Sequence, residues 1–259
     1  ARRRVRGGGV RVAGGPVFAG RRPHRAAVAG GPTAAGRAGS GVRSPGDDDV
    51  VGVGQPVVLR LDGPVTSPAD RDRLVSHLSV RTEPSLPGAW RWMADDELHY
   101  RGATYWPAGT RFAVTADLDR LQLSDGTWGA GRRTTHYTVG DALISTVDVR
   151  THTMTVRRNG AVLKVLKVST GRDEFPTHNG VHLVLEKTAL QTMDSSTIGI
   201  PRGGPGGYFL KVPHSVRISY SGEFVHAAPA TVNQQGVANV SHGCVNLSDT
   251  DGEWFFNFT

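Results

Sequence analysis

The sequence predicts a mainly β protein with two β-rich domains, and three observations support this. Short runs of apolar and β-branched residues recur at roughly ten-residue spacing between turn residues, which is typical of a β-sandwich. Asn159-Gly160 separates two β-rich runs, and both central positions of a type I′ hairpin turn need the positive φ that these residues accept. At 38% hydrophobic and 20% charged residues, a chain of 259 residues can bury the cores of such domains.

Residues 1–46 form a basic leader that differs in composition from the rest of the chain. The leader contains ten arginines and no acid, whereas the other 213 residues carry 20 basic and 23 acidic side chains. The net charge of +7 therefore belongs to the leader, and the folded part is not expected to bind nucleic acid. Few large apolar side chains offset the entropy of ordering, so we expect the leader to be disordered. Membrane contact is expected only through this leader.

The first domain, residues 50–130, is predicted to be a β-sandwich. Its strands are expected at residues 57–61, 74–80, 89–93 and 111–115. Because the chain has one cysteine, this sandwich must depend on its apolar core without a disulfide. The tryptophans expected in that core, rather than on a sugar-binding surface, are Trp90, Trp92, Trp106 and Trp128.

The second domain, residues 134–259, continues the β pattern after a glycine-rich boundary. Strands are expected at residues 151–158, 161–168, 181–186 and 216–220. A helix is expected only near the end of the chain, because Ser248 can cap it and Asp251 lies near the positive end of its dipole. Trp254 and Phe255 are then expected to face the core.

Cys244, the only cysteine, lies in Ser241-His242-Gly243-Cys244-Val245-Asn246, and its polar neighbours favour a nucleophile. A free thiol has a pKa near 8.5, so a histidine is needed to take its proton. His242 is two residues away, whereas fourteen residues separate His226 from Ser241. We favour His226 as the base, because a partner on a separate element can be aimed independently. The carbonyl of Ala227 can orient its other ring nitrogen.

Gly243 has a predicted role of its own beside the thiol. Without a Cβ it lets a substrate carbonyl approach the main chain, where the N–H groups of His242, Gly243 and Cys244 can stabilise an oxyanion. Asn246 offers an amide for positioning substrate. Two alternatives stay open from these residues alone. His226, His242 and Cys244 can form a Cys-His₂ zinc site, or the cysteine can be buried and inert.

The same residues resemble a known family. His226, followed after fourteen residues by Ser-His-Gly-Cys-Val-Asn, resembles the signature of the L,D-transpeptidases of bacterial cell walls, which have a YkuD-type catalytic domain. Thr192-Met193-Asp194-Ser195-Ser196-Thr197 and Ser221-Gly222-Glu223-Phe224-Val225-His226 resemble the mycobacterial and actinobacterial members. The resemblance covers about residues 136–258, and residues 50–128 resemble the immunoglobulin-like domain that precedes it. It implies an immunoglobulin-like β-sandwich followed by a β-rich catalytic domain with one or few short helices.

The resemblance also implies a reaction and a substrate pocket. Cys244 attacks a tetrapeptide stem of peptidoglycan, D-alanine leaves, and a second stem accepts the acyl group in a 3→3 cross-link. His226 activates the thiol, and the backbone around Gly243 and Cys244 forms the oxyanion hole. The implied pocket residues are Met193 in a lid, Tyr208, Ser241, Asn246 and Ala227.

Further expectations follow from the same resemblance. Peptidoglycan stem peptides are the implied partners, carbapenem-type β-lactams the implied inhibitors, and the cell wall outside the cytoplasm the implied location. No metal or organic cofactor is implied. Two other functions stay open: an L,D-carboxypeptidase that uses water as acceptor, and a catalytically inactive wall-binding module.

The chain departs from the family pattern in its lid and beside the histidine. Ile198 stands where an aromatic residue is common, and Ala227 stands where a serine is frequent. The glycine-rich run at residues 203–207 is expected to make the lid more mobile. The remaining histidines, including His178, are expected to be surface or packing residues.

Overall fold

The structure is a computed structural model that describes residues 9–14, 37–38, 41–129 and 131–259, with side chains from residue 45 onward. Within these ranges no helix is long and apolar enough to cross a bilayer. Two α-helices are described, α1 (Pro68–Ser76) and α2 (Asp249–Phe258). The strands are β1 (Gly9–Gly14), β2 (Arg37–Ala38), β3 (Gly41–Ser44), β4 (Asp49–Val51), β5 (Val57–Arg60), β6 (Leu78–Glu83), β7 (Ala89–Ala94), β8 (Glu97–Arg101), β9 (Arg111–Asp117), β10 (Trp128–Gly129), β11 (Arg132–Val139), β12 (Leu143–Asp148), β13 (Thr153–Arg158), β14 (Ala161–Lys167), β15 (Gly180–Leu183), β16 (Glu186–Asp194), β17 (Phe209–Arg217), β18 (Phe224–Ala227) and β19 (Val245–Leu247).

The first unit contains two four-stranded sheets, in the orders β4-β11-β9-β6 and β3-β5-β8-β7, with a small β10-β2 pair. Its core is apolar, as predicted. Leu59 and Leu98 are fully buried, and a row of ring contacts runs through Trp90, Tyr100, Trp106, Phe112 and Tyr137. Trp92 is partly buried against the same core. Trp128 differs from the prediction, because on the short β10 it stays 43% exposed.

The predicted strand at residues 74–80 is wrong, because the region contains the end of α1 and the start of β6. Ser67 caps the helix by accepting the Asp70 N–H, and proline at the first helical position fits there because no intrahelical donor is lost. Leu74 is buried on the helix. The expectation of a helix only near the chain end is therefore also wrong.

The boundary between the two units lies between Gly140 and Asp141. The sequence predicted it earlier, with the second domain beginning at residue 134. The reason for the difference is β11, which pairs along its length with β9 and completes a sheet of the first unit.

The leader also differs from the prediction where it is described. Strand β1 pairs with β12 on one side and β15 on the other, and β3 pairs with β5. Backbone pairing needs no large apolar side chain, and Val10 and Val12 alternate as a strand requires. The structure thus describes strands within a segment that was predicted to be disordered, and the rest of the leader, apart from β2, lies almost wholly outside the described residues.

The second unit has two sheets, in the orders β14-β13-β12-β1-β15 and β16-β17-β18-β19. Their buried faces form one core with α2, to which Met154, Val225 and Phe255 belong. The predicted hairpin turn is confirmed, since Asn159 and Gly160 have φ of 50° and 86°. The Ser248 cap is confirmed as well, because its side chain accepts the Asp251 N–H. Trp254 and Phe255 pack at this core as predicted.

Strands β18 and β19 position the predicted site. They run parallel with His226 opposite Asn246, and every residue in both strands is buried. Val225 and Val245 point into the core. Since side chains alternate along a strand, His226, Asn246 and the preceding Cys244 share the opposite face.

Candidate active site

The thiol of Cys244 lies at the junction of two cavities. A first cavity of about 510 Å³ and a second of about 470 Å³ share the lining residues Met193, Tyr208, His242 and Cys244. The side chain is partly buried, and its Sγ lies 4.0 Å from the carbonyl oxygen of Gly222. A substrate can therefore reach the sulfur from two directions.

The resting thiol is protonated. Burial raises the pKa of Cys244 to about 11, and the Glu223 carboxylate adds to the rise, whereas the Phe224 N–H and Arg217 oppose it. The sequence indicated that a histidine must take the proton of this thiol, and in the resting structure that transfer has not occurred. A proton must leave the sulfur as substrate reacts, so the position of the base becomes decisive.

His226 has the features of that base. Its side chain is 7% exposed, and Nδ1 donates to the Ala227 carbonyl at 2.8 Å, which is the orienting contact predicted from sequence. The hydrogen bond fixes the tautomer and leaves Nε2 as the proton acceptor. Burial lowers the pKa of His226, with the Ala227 hydrogen bond acting in the opposite direction, so the ring is neutral. His226 and Cys244 line the second cavity together.

His242 has different surroundings. Its Nε2 lies 2.9 Å from Nη2 of Arg172, an arginine that is always charged and can only donate. Burial and then Arg172 lower the pKa of His242. Its ring lies 5.0 Å from that of Phe175 and 5.3 Å from that of Tyr208, measured between centroids. With Nε2 occupied, His242 is a wall of the site, which supports the choice of His226 as base.

The loop before Cys244 is held by two hydroxyl groups. Ser241 Oγ accepts the Gly243 N–H at 3.1 Å and donates to the Cys244 carbonyl at 2.6 Å. Thr177 Oγ1 donates to the Gly243 carbonyl at 2.8 Å. Gly243 has φ of 116°, a conformation that favours glycine. Its N–H is thus engaged inside the loop, which differs from the oxyanion-donor role predicted for it.

The predicted pocket residues lie together. Met193, Tyr208, Ser241, Asn246 and Ala227 all line the second cavity. The Ser241 hydroxyl makes both of its hydrogen bonds within the loop. Asn246 Nδ2 donates to Thr231 Oγ1 at 3.1 Å, whereas its buried Oδ1 has no partner among the described residues. Asn246 therefore retains an acceptor for a ligand.

The lid is the segment at residues 195–208 between β16 and β17, and two reciprocal hydrogen bonds join its two ends. Ser195 N donates to the Tyr208 carbonyl at 3.0 Å, and Tyr208 N donates to Ser195 Oγ at 2.9 Å. Asp194 caps the short 3-10 helix Ser195–Ile198 and pairs with Arg202. The glycine run forms tight turns, and a Cβ on Gly207 would lie 2.2 Å from the Pro201 carbonyl oxygen. Ile198 lines the first cavity.

Helix α2 passes close behind His226. A Cβ on Gly252 would lie 2.7 Å from that of Ala227. The small side chains at both positions therefore let the helix cover this strand.

Sequence reasoning missed several residues around the thiol. Arg172 contacts His242, Thr177 holds Gly243, and Glu223 lines the first cavity. His178 is exposed, as predicted for a surface histidine, and it also lines this cavity and contacts Glu223. Arg172 and Thr177 are not near Cys244 in sequence, and Glu223 lies in the motif at residues 221–226 that carries the family resemblance but received no role from it. Only Glu223 offered a usable signal in the sequence, because this acidic residue stands directly before the buried strand β18.

Over the described ranges, no group of three or more His, Cys, Asp or Glu is placed to hold a metal.

A β-rich domain with one thiol and one buried neutral imidazole on a common cavity defines a candidate cysteine acyltransferase. Two family models match the chain, a bacterial Ig domain at residues 33–122 and an L,D-transpeptidase catalytic domain at residues 143–259. L,D-transpeptidase 1 of Mycobacterium tuberculosis is 38% identical over 214 residues, which are 83% of this chain and 78% of that protein. The chain belongs to the L,D-transpeptidase family.

Other similar proteins agree with this assignment. L,D-transpeptidase 2 of Mycobacterium tuberculosis is 40% identical over 82% of this chain, which spans only 52% of that relative's length. A solved L,D-transpeptidase in complex with imipenem aligns with a TM-score of 0.72 and 36% identity, covering 86% of this chain and 95% of that one. L,D-transpeptidase 3 of Mycobacterium tuberculosis with a faropenem-derived adduct aligns at 0.67 and 32% identity, covering 83% and 91%.

Proposed function

We propose that this chain is a peptidoglycan L,D-transpeptidase that forms 3→3 cross-links through an acyl-enzyme on Cys244. The observation that carries the proposal is that this thiol shares a cavity with a buried, neutral imidazole of fixed tautomer and also lines a second cavity. One cavity can hold the donor stem and the other the acceptor stem.

In the acylation step, Cys244 attacks the carbonyl at the L-centre of the third residue of a tetrapeptide stem. The thiol proton passes to Nε2 of His226 as the carbon–sulfur bond forms. The carbon–nitrogen bond to the terminal D-alanine then breaks, and His226 returns the proton to the departing amine. Because the ring is neutral at rest, it can accept the proton without first losing one.

In the second step, the side-chain amine of another stem attacks the thioester. A carbon–nitrogen bond forms, the carbon–sulfur bond breaks, and the proton of the amine returns to sulfur through His226. The oxyanion of each step needs backbone donors. With the Gly243 N–H engaged by Ser241, we assign this role to the N–H of Cys244 and the adjoining loop backbone.

Carbapenem-type β-lactams are proposed as acylating inhibitors of Cys244, since related structures hold imipenem and a faropenem-derived adduct. A peptidoglycan substrate places the enzyme outside the cytoplasm. His226 makes every proton transfer in the proposed reaction.

Mass spectrometry of the intact protein tests the nucleophile. Incubation with faropenem should add one equivalent of mass, and Cys244→Ala should abolish the adduct without unfolding the protein. An adduct that persists in Cys244→Ala, or none on the unsubstituted protein, would contradict the proposal.

The partially exposed thiol also supports a second candidate, an L,D-carboxypeptidase that passes the acyl group to water. The acyl-enzyme is common to both reactions, so product analysis must separate them. Cross-linked dimers from a tetrapeptide stem support the transpeptidase, whereas tripeptide without dimer identifies the carboxypeptidase. Absence of both products identifies an inactive wall-binding module.

A further inference from the structure

Glu223 is a buried carboxylate on the wall of the first cavity, and no step of the proposed reaction uses it. The residue is 5% exposed and lies directly before β18. It lines the same cavity as Cys244, and a Cβ built on Gly243 would lie 3.6 Å from its Cγ. The carboxylate is therefore next to the loop that carries the nucleophile.

Only one oxygen of this carboxylate is satisfied. Oε1 accepts the His178 N–H at 2.8 Å and lies 3.0 Å from Nδ1 of the same residue. Oε2 is buried and has no hydrogen-bond partner among the described residues. Burying a charged oxygen without a donor is costly, so such a group at a cavity wall marks a place for a ligand donor.

Arg217, a cation that lines the same cavity, does not pair with Oε2. Its Nε lies 3.4 Å from Glu186, and its guanidinium lies 4.4 Å over the Phe224 ring. A molecule in the cavity can therefore supply a cation for Oε2.

We propose that Glu223 binds the side-chain ammonium of the donor stem, so that the site selects a donor whose third residue is cationic. This inference rests on the proposed function, in which peptidoglycan stems carry a side-chain amine, and it places such an amine on the third residue of the donor. A flexible aliphatic chain separates its side-chain amine from the carbonyl that Cys244 attacks. One end can thus reach Oε2 while the other lies at the sulfur.

The pairing has a consequence for the nucleophile. The Glu223 carboxylate contributes to the raised pKa of the Cys244 thiol. An ammonium group bound to the carboxylate offsets this repulsion, so the thiolate becomes more accessible when the donor is in place. A β-lactam without a cation does not receive this assistance.

The test compares two donor tetrapeptides, one with a free side-chain amine and one with that amine acetylated. Single-turnover release of D-alanine is measured for the unsubstituted chain and for Glu223→Gln. Acetylation should slow the unsubstituted enzyme by about 10- to 100-fold, the range of a charge-assisted hydrogen bond. In Glu223→Gln, the free-amine peptide should react as slowly as the acetylated one. Acylation by faropenem, which has no cationic group, should be unchanged or faster.

The matched control is Glu253→Gln, which removes the same charge from an exposed position on α2 outside both cavities. It should retain the full discrimination between the two peptides. Equal D-alanine release from both peptides by the unsubstituted enzyme overturns the inference even where the variant fails to fold. A matching loss of faropenem acylation in Glu223→Gln overturns it too, because that result indicates general damage.

Two further outcomes are informative. If acetylation leaves D-alanine release intact but lowers cross-linking, the amine acts as acceptor and the donor assignment is overturned. If the unsubstituted chain releases no D-alanine from either peptide, the proposed function itself fails. The other contrary outcomes leave that function standing.

Discussion

Two regions hold His226 and His242, which line the second cavity together with Cys244, and they are built differently. The strand region, β18 with β19, fixes His226 by regular pairing, complete burial and a contact to the next carbonyl. The loop region, residues 171–178 with 240–243, holds His242 and Gly243 through side-chain contacts from Arg172 and Thr177. The proposed base is therefore held by the backbone of a sheet, whereas the neighbours of the proposed nucleophile depend on individual side chains.

Removal of the base should have the largest effect. His226→Ala should lower D-alanine release by about a thousandfold, within the usual range for general base catalysis. His136→Ala, an exposed histidine of β11, is the control and should keep normal activity. Near-normal turnover of His226→Ala would show that the strand region does not supply the base.

Distortion of the loop should have the next largest effect. Gly243→Ala must hold alanine at a φ of 116°, which costs on the order of 1–3 kcal/mol although the Cβ meets nothing closer than 3.6 Å. Faropenem acylation should fall by about tenfold or more, as expected when a reacting group is displaced. Gly63→Ala, where a Cβ meets nothing within 4 Å, should be neutral in acylation rate and thermal unfolding. If both variants behave alike, the loop geometry is not constrained as described.

Loss of a loop contact should have a smaller effect. Arg172→Gln removes a charge that lowers the pKa of His242, so that pKa should rise towards its ordinary value in an NMR titration. Activity should fall by only about two- to tenfold, since one hydrogen bond is lost and the base is untouched. A thousandfold loss would instead place His242 in the chemistry.

The smallest effect is expected in the pH dependence of stability. Burial lowers the pKa of His226 in the folded state, so the unfolded chain binds that proton more readily below pH of about 6.5. The free energy of unfolding should be level above this pH and decrease as pH falls below it. His226→Gln should show a shallower decrease in denaturant titrations at pH 5 and 7.5. If the free energy of unfolding decreased equally between pH 7.5 and 5 in the unsubstituted chain and in His226→Gln, the imidazole would not be desolvated in the folded state.

The predictions from sequence were most accurate where a local rule applies. Asn159-Gly160 forms a hairpin because positive φ is a property of those residues, and Ser248 caps a helix through its own hydroxyl. Ser67 and Pro68 carry the same kind of helix-start signal, yet a strand was predicted at residues 74–80, which include the end of α1. Prediction failed for β1, whose neighbours β12 and β15 are far away in the chain.

The candidate site divides in the same way. The motif predicted that Cys244 and His226 belong to one site, and they line one cavity. Elementary chemistry predicted the Ala227 carbonyl as the partner of His226 Nδ1. The engagement of the Gly243 N–H, the Arg172 contact and the unpaired oxygen of Glu223 did not. These depend on which side chains the loops bring together.

Residue types at fixed spacing were enough to predict the family, the β-rich class and the candidate nucleophile from the sequence. The protonation of the resting thiol, and the imidazole that is free to accept a proton, became clear only from the three-dimensional arrangement. A pKa depends on burial and on charges brought from distant segments. No local pattern carries that information.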